Sequence, residues 1–239
     1  MQVDVLGVKF HNLNMEEAVK TALEIIPNRQ AVYAVTPNPE IVWNAKTDTA
    51  LKHALAGAQF VLADGVGITI GAKILGASLK ARVPGIDFAE ALMKQLASNG
   101  QSVFLYGAKP GIAEKAAGQL KEKHPGLQVA GFADGYGKQE DVIRNIQAAK
   151  PDFLLVCLGS PKQELWMQEN TGKLDVGFMA GLGGALDVFS GTVKRAPKIF
   201  QKCGLEWLYR LCKEPWRIKR MIKLPFFLLA VCKKRVFGK

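Results

Sequence analysis

Short apolar runs recur along the first 180 residues, at 3–10, 31–35, 60–63, 102–106, 127–132, 153–158 and 176–180. Between them the apolar positions repeat with helical spacing, over 15–26, 39–45, 49–56, 66–75, 88–98, 112–123, 139–150 and 161–170. Local start signals support several helices. Asn14-x-x-Glu17, Asp87-x-x-Glu90 and Ser160-x-x-Gln163 have the capping-box pattern, and Pro39 and Pro161 stand where a first helical residue belongs. Residues 1–10 are short enough for a hairpin, and 76–85 reads as a basic loop with Gly and Pro. Apolar strands alternating with helices predict an α/β, Rossmann-like fold, with a mostly parallel sheet covered by helices on both faces.

Such sheets bind ligands beyond the C-terminal ends of their strands, at the edge where the connections diverge. The residues just after the predicted strands are therefore the first candidates. They are Thr36-Pro37-Asn38, Asp64-Gly65, Gly107-Ala108-Lys109, Asp134-Gly135-Tyr136, Gly159-Ser160-Pro161-Lys162-Gln163 and Gly181-Leu182-Gly183-Gly184. The last group can present backbone N–H groups to a phosphate, or it can be a tight turn. Asp64 can cap the following helix, or it can serve as a general base whose pKa is raised by burial. Asn38 suits an N-cap before Pro39, which leaves Thr36 as the freer hydroxyl. Lys162 can meet a phosphate or stay solvated.

Charge divides the chain. The protein carries 32 Lys+Arg against 21 Asp+Glu over 239 residues, yet 14 of the basic residues and only Glu206 and Glu214 of the acids lie in 194–239. The expected organisation is a near-neutral body, 1–193, and a basic appendage, 194–239. In the appendage Leu208, Leu211, Pro215, Ile218 and Ile222 share one helical side, while Arg210, Lys213, Arg217 and Arg220 lie opposite. Then comes an apolar run, 224–232, flanked by Lys223 and Lys233-Lys234-Arg235. A basic amphipathic segment of this kind suits an anionic membrane surface. An ordinary helical cap with snorkelling lysines, or a nucleic-acid face, are the other readings.

Several chemistries find no motif. No D-x-D pair is present to hold a divalent ion on a sugar nucleotide, so Arg, Lys and helix termini would have to neutralise a leaving diphosphate. There is no H-E-x-x-H, no G-x-S-x-G and no Cys/His cluster. The three histidines fall in apparent surface segments. The four cysteines are scattered without a C-x-x-C, as reduced thiols in a cytoplasmic protein would be. The N-terminus, Met1-Gln2-Val3-Asp4, does not read as a cleaved secretion signal, and the nine-residue run at 224–232 falls short of the roughly 20 residues a spanning helix needs.

Five strings in order carry a family resemblance: Thr36-Pro37-Asn38-Pro39-Glu40, Ala63-Asp64-Gly65-Val66-Gly67, Arg82-Val83-Pro84-Gly85-Ile86-Asp87, Gly159-Ser160-Pro161-Lys162-Gln163-Glu164 and Gly181-x-Gly183-Gly184-x-x-Asp187. Together they resemble the WecG/TagA/CpsF glycosyltransferases, most closely the branch that builds wall teichoic acid. The resemblance implies an inverting, metal-independent hexosyltransferase without a cofactor. It would move N-acetylmannosamine from its UDP conjugate to N-acetylglucosamine on undecaprenyl diphosphate. It implies that Asp64 is the base, that Thr36 and Asn38 line the sugar pocket, and that Arg82 and Gln163 contact substrate. Gly181, Gly183 and Gly184 would lie on the nucleotide side, with Tyr136 and Lys162 as further candidates on the same edge. Arg210, Arg217 and Arg220 would belong to an appendage that meets diphosphate at the membrane. The partners implied are the donor, the polyprenyl-linked acceptor and the inner face of the cell membrane. Nucleic acid is not among them, and self-association is left open. The alternatives are another donor sugar (N-acetylmannosaminuronic acid or glucose), or a membrane-recruited nucleotide-binding protein without transferase activity.

Overall fold

A computed structural model describes residues 1–238; the side chains of Lys202, Arg217, Lys219 and Arg220 lie outside the described residues. In chain order the elements begin with the strands β1 (Gln2–Val5) and β2 (Val8–His11) and the helix α1 (Met15–Ile25). β3 (Val32–Val35), α2 (Pro39–Asn44), α3 (Thr49–Ala56), β4 (Phe60–Val61), α4 (Val66–Ile74) and α5 (Gly85–Ser98) follow. Next are β5 (Ser102–Gly107), α6 (Ile112–Lys123), β6 (Gln128–Ala133), α7 (Gln139–Ala149), β7 (Phe153–Cys157), α8 (Lys162–Asn170), β8 (Phe178–Gly181) and α9 (Ala185–Phe189). The appendage supplies α10 (Lys198–Lys202), α11 (Glu206–Lys213), α12 (Ile218–Met221) and α13 (Lys223–Phe237).

β1 and β2 form the expected antiparallel hairpin. The other six strands make one parallel sheet in the order β4-β3-β8-β7-β5-β6. Side chains alternate across it, because successive residues of a strand point to opposite faces. Tyr33, Val35, Phe104, Tyr106, Leu154, Val156 and Met179 enter one core, against the hairpin and against α2, α3, α4, α7, α8 and α13. Ala34, Val103, Leu105, Phe153, Leu155, Phe178 and Ala180 enter the other, against α1, α5, α6 and α9. Phe178 anchors this second core. Its ring stacks on Phe60 at 5.3 Å and on Phe153 at 6.0 Å, with Phe88 edge-on.

Helix starts follow local chemistry in some places and tertiary packing in others. Asn14 and Glu17 complete their capping box, at 2.9 Å in both directions. Asn38 accepts from the Ile41 amide at 3.0 Å, and Pro39 opens α2 behind it. The other two expected capping boxes do not form. α5 starts two residues before Asp87, behind Pro84, so Asp87 sits in its first turn with its carboxylate turned to Arg195. α8 begins at Lys162, and Gln163 turns its amide inward instead of back to Ser160. His124 is a further correction: it is buried, with Nε2 3.0 Å from Glu90 Oε1. Such a position was hidden because α5 and α6 meet only in the folded chain.

α13 is built into the first core. Phe227 and Val231 are fully buried, and the helix lies on α2 and α4. The approach is close because α4 carries Gly67 and Gly71. A Cβ at Gly71 would stand 3.0 Å from the Phe227 ring, and one at Gly67 would stand 3.2 Å from Leu224 Cδ1. Lys223 and Lys234 tie the same helix to Glu40 and Asp4, at 3.7 and 2.7 Å. Among the described residues no helix is long and apolar enough to cross a membrane.

Candidate active site

The C-terminal edge of β4 ends in Ala63-Asp64, and the loop before α5 folds back onto it. The Val83 amide donates to the Ala63 carbonyl at 2.9 Å, which brings Arg82 beside Asp64. Gly85 then passes so near β3 and the turn after β8 that a Cβ would stand 2.6 Å from Leu182 Cδ2 and 2.9 Å from Thr36 Oγ1. Only glycine fits there. A cluster at the sheet edge thus joins Thr36, Asp64, Arg82, Gly85 and Leu182. Asn38 borders it, with its Cβ 3.9 Å from the Cβ position of Gly65.

Asp64 does not cap α4. Gly65 occupies the N-cap position, and no side chain bonds there. Burial pushes the Asp64 pKa up to about 6, and Glu206 pushes the same way; Arg82, the Gly85 amide and Arg210 hold it down. The carboxylate is therefore largely ionised at neutral pH and still basic enough to take a proton.

The appendage reaches this cluster. Arg82 Nη2 donates to the Gln201 carbonyl at 3.2 Å. Arg195 forms a two-pronged pair with Asp87, the longer contact being 2.9 Å, and its Nε is 3.8 Å from Glu206 Oε1. Glu206 in turn pairs with Arg210 at 2.7 Å. Sequence reasoning missed Asp87, Arg195 and Glu206. Asp87 was legible as a cap and as the end of a family string, with no role in the site, and the other two only as members of a charge count.

The turn after β8 joins the site from beneath. Gly183 has φ +45° and donates its amide to Gln163 Oε1 at 2.8 Å, so that N–H is already engaged. Gly181 packs on Gln163 and Met167, and Gly184 leads into the five residues of α9. Gln163 is itself buried, and Lys162 is exposed at the start of α8. Tyr136 is 72% exposed beyond β6, five strand spacings from β4, or about 24 Å. Thr36, Asn38, Asp64, Arg82, Gln163, the glycine turn and Arg210 are thus brought together; Tyr136 is not. Arg217 and Arg220 have side chains outside the described residues. The four cysteines are free, and among the described residues no group of three or more His, Cys, Asp or Glu is placed to hold a metal ion.

The description "Glycosyl transferase WecG/TagA/CpsF family" matches residues 3–239. A Bacillus spizizenii protein named N-acetylglucosaminyldiphosphoundecaprenol N-acetyl-beta-D-mannosaminyltransferase is 36% identical over 209 residues, covering 87% of this chain and 81% of the relative. A Staphylococcus aureus protein of the same name is 36% identical over 238 residues, covering 98% and 93%. With its parallel sheet and a basic carboxylate at the sheet edge, this chain belongs to the WecG/TagA/CpsF glycosyltransferase family.

Proposed function

We propose that the protein transfers N-acetylmannosamine from UDP-N-acetylmannosamine to N-acetylglucosamine on undecaprenyl diphosphate, with inversion and without a metal ion. The relatives' names support the sugar and the acceptor. The observation that carries the chemistry is Asp64, a carboxylate raised to about 6 that caps no helix and has arginines around it. Asp64 takes the proton from the attacking hydroxyl of the acceptor. The new bond forms at the anomeric carbon as the bond to UDP breaks, and UDP leaves with that electron pair. Arg82 and Arg210 neutralise its diphosphate charge, a task suited to the guanidinium fork. Thr36 and Asn38 line the sugar pocket, Gln163 and the Gly181–Gly184 turn shape its floor, and Arg217 and Arg220 add positive charge.

Residues 194–239 form the membrane-facing unit in this reading. α13 has two apolar faces, one packed on α4 and one open. On that open face Leu229 is 65% exposed; in the stretch before α13, Trp216 is 71% exposed and Ile218 and Ile222 are exposed as well. Lys213 and Lys233 are also exposed. Exposed apolar side chains in a basic segment suit the headgroup region of an anionic leaflet, and in this reading the enzyme works at the cytoplasmic face.

UDP release from UDP-N-acetylmannosamine with a lipid-linked N-acetylglucosamine acceptor, measured in EDTA, tests the reading. Release is expected for the wild type and not for Asp64→Asn. Release only from UDP-glucose or UDP-N-acetylmannosaminuronic acid would reassign the donor, and strict dependence on added magnesium would overturn the metal-free step.

A further inference from the structure

A buried polar chain runs beneath the turn after β8. Glu164 is 1% exposed and Gln163 4%. Gln163 Nε2 donates to Glu164 Oε1 at 2.9 Å, while Gln163 Oε1 accepts from the Gly183 amide at 2.8 Å. Glu164 Oε2 is buried without a hydrogen bond, and the Ser160 hydroxyl lies beside the carboxyl. Burial pushes the Glu164 pKa up. Such a half-satisfied acid is a poor choice for stability, since an apolar side chain of similar size would avoid the desolvation cost. Its presence in the first turn of α8 needs another explanation.

We infer that Glu164 is a positioning residue, which fixes the direction of the Gln163 amide and through it the Gly181–Gly184 turn at the active site. The carboxyl oxygen facing Gln163 accepts, so it selects the NH₂ end of that amide. A flipped Gln163 would set its NH₂ against the Gly183 N–H, donor against donor. Released from Gln163, the turn would carry Leu182 away from Gly85, and Gly85 supplies the amide that holds the Asp64 charge and the wall against Thr36. Displacements of this size can cost on the order of 10- to 100-fold in rate. The inference rests on the transferase reading for its kinetic consequence, and on geometry alone for the hydrogen bond.

Glu164→Met keeps the length of the side chain and removes the acceptor. It should leave the melting temperature unchanged or higher, yet lower kcat/KM for the donor about tenfold or more. Glu164→Gln, which can still accept from Gln163, should retain most of the activity. Combined with Gln163→Ala, Glu164→Met should add no further loss beyond about twofold, because both act on one contact. Amide exchange at Gly183 should quicken in Glu164→Met and in Gln163→Ala. Unchanged Gly183 exchange in Glu164→Met would overturn the inference. So would losses that multiply in the double variant, or a loss of activity that tracks a fall in melting temperature. Should Glu164→Met not fold, Gly183 exchange in Glu164→Ala decides in its place. A wild type that transfers no sugar would overturn the transferase reading, while the exchange experiment would still decide the role of Glu164.

Discussion

At the scale of the single residue, the proposed role of Asp64 as base ties activity to pH. Its pKa near 6 is above the ordinary carboxylate value, so the base is present above pH 6 and lost as pH falls through it. The kcat/KM profile should have an acidic limb near pH 6, falling about tenfold per unit below it. Glu206→Gln removes a negative neighbour that raises this pKa, so the limb should move to lower pH. A limb that stays in place would show that Glu206 does not face Asp64 in the working enzyme. Asp64→Asn should lower turnover by roughly 10²–10⁴-fold while UDP binding and the fold persist; activity within a few-fold of wild type would remove Asp64 from the chemistry. The sequence left Asp64 balanced between cap and base. The geometry of α4, which starts behind Gly65, removes the cap reading.

Between elements, the polar links decide where the appendage sits. Arg195 and Asp87 join the stretch before α10 to the first turn of α5, and Glu206 and Arg210 continue the chain into α11. Reversing the charge with Asp87→Arg should cost most of the activity, and the exchanged pair Asp87→Arg with Arg195→Asp should regain part of it. No recovery in the exchanged protein would show that the pair is not what holds α11 over the site. On the other face, Phe227→Ala should destabilise the protein by about 3–5 kcal/mol in denaturant unfolding, because it empties a fully buried site between α13 and α4. A change under 1 kcal/mol would mean that α13 is not docked in solution. These contacts mark the limit of sequence reading. The strands and helices of the body were legible because short continuous apolar runs give way to helical spacing wherever a strand gives way to a helix. Helix α6 has the expected bounds, 112–123. Partners more than a hundred residues apart leave no periodic trace. The apolar run at 224–232 could be seen, but not that Phe227 and Val231 turn inward, that Phe226 stacks on Trp43 and that Leu229 turns out.

For the whole molecule, the two faces of α13 make separable demands. The inner face belongs to the folded core, so cutting the chain near Val193 would remove core side chains along with the proposed membrane contacts. Point changes at exposed apolar residues on α13 and just before it avoid that difficulty. Trp216→Glu and Leu229→Glu alter exposed side chains, so stability should change little. Each removes an apolar group from the leaflet and adds a negative charge, which should weaken binding to anionic vesicles about tenfold or more. Turnover of a long-chain lipid-linked acceptor in vesicles should fall in step, while turnover of a short-chain, water-soluble acceptor should hold. A heterologous membrane anchor fused to the double variant should then restore the vesicle activity if the outer face serves only to hold the enzyme on the bilayer. Failure of the anchor to restore it, with the soluble acceptor also turned over slowly, would mean that these side chains guide the substrate lipid into the site beside Asp64.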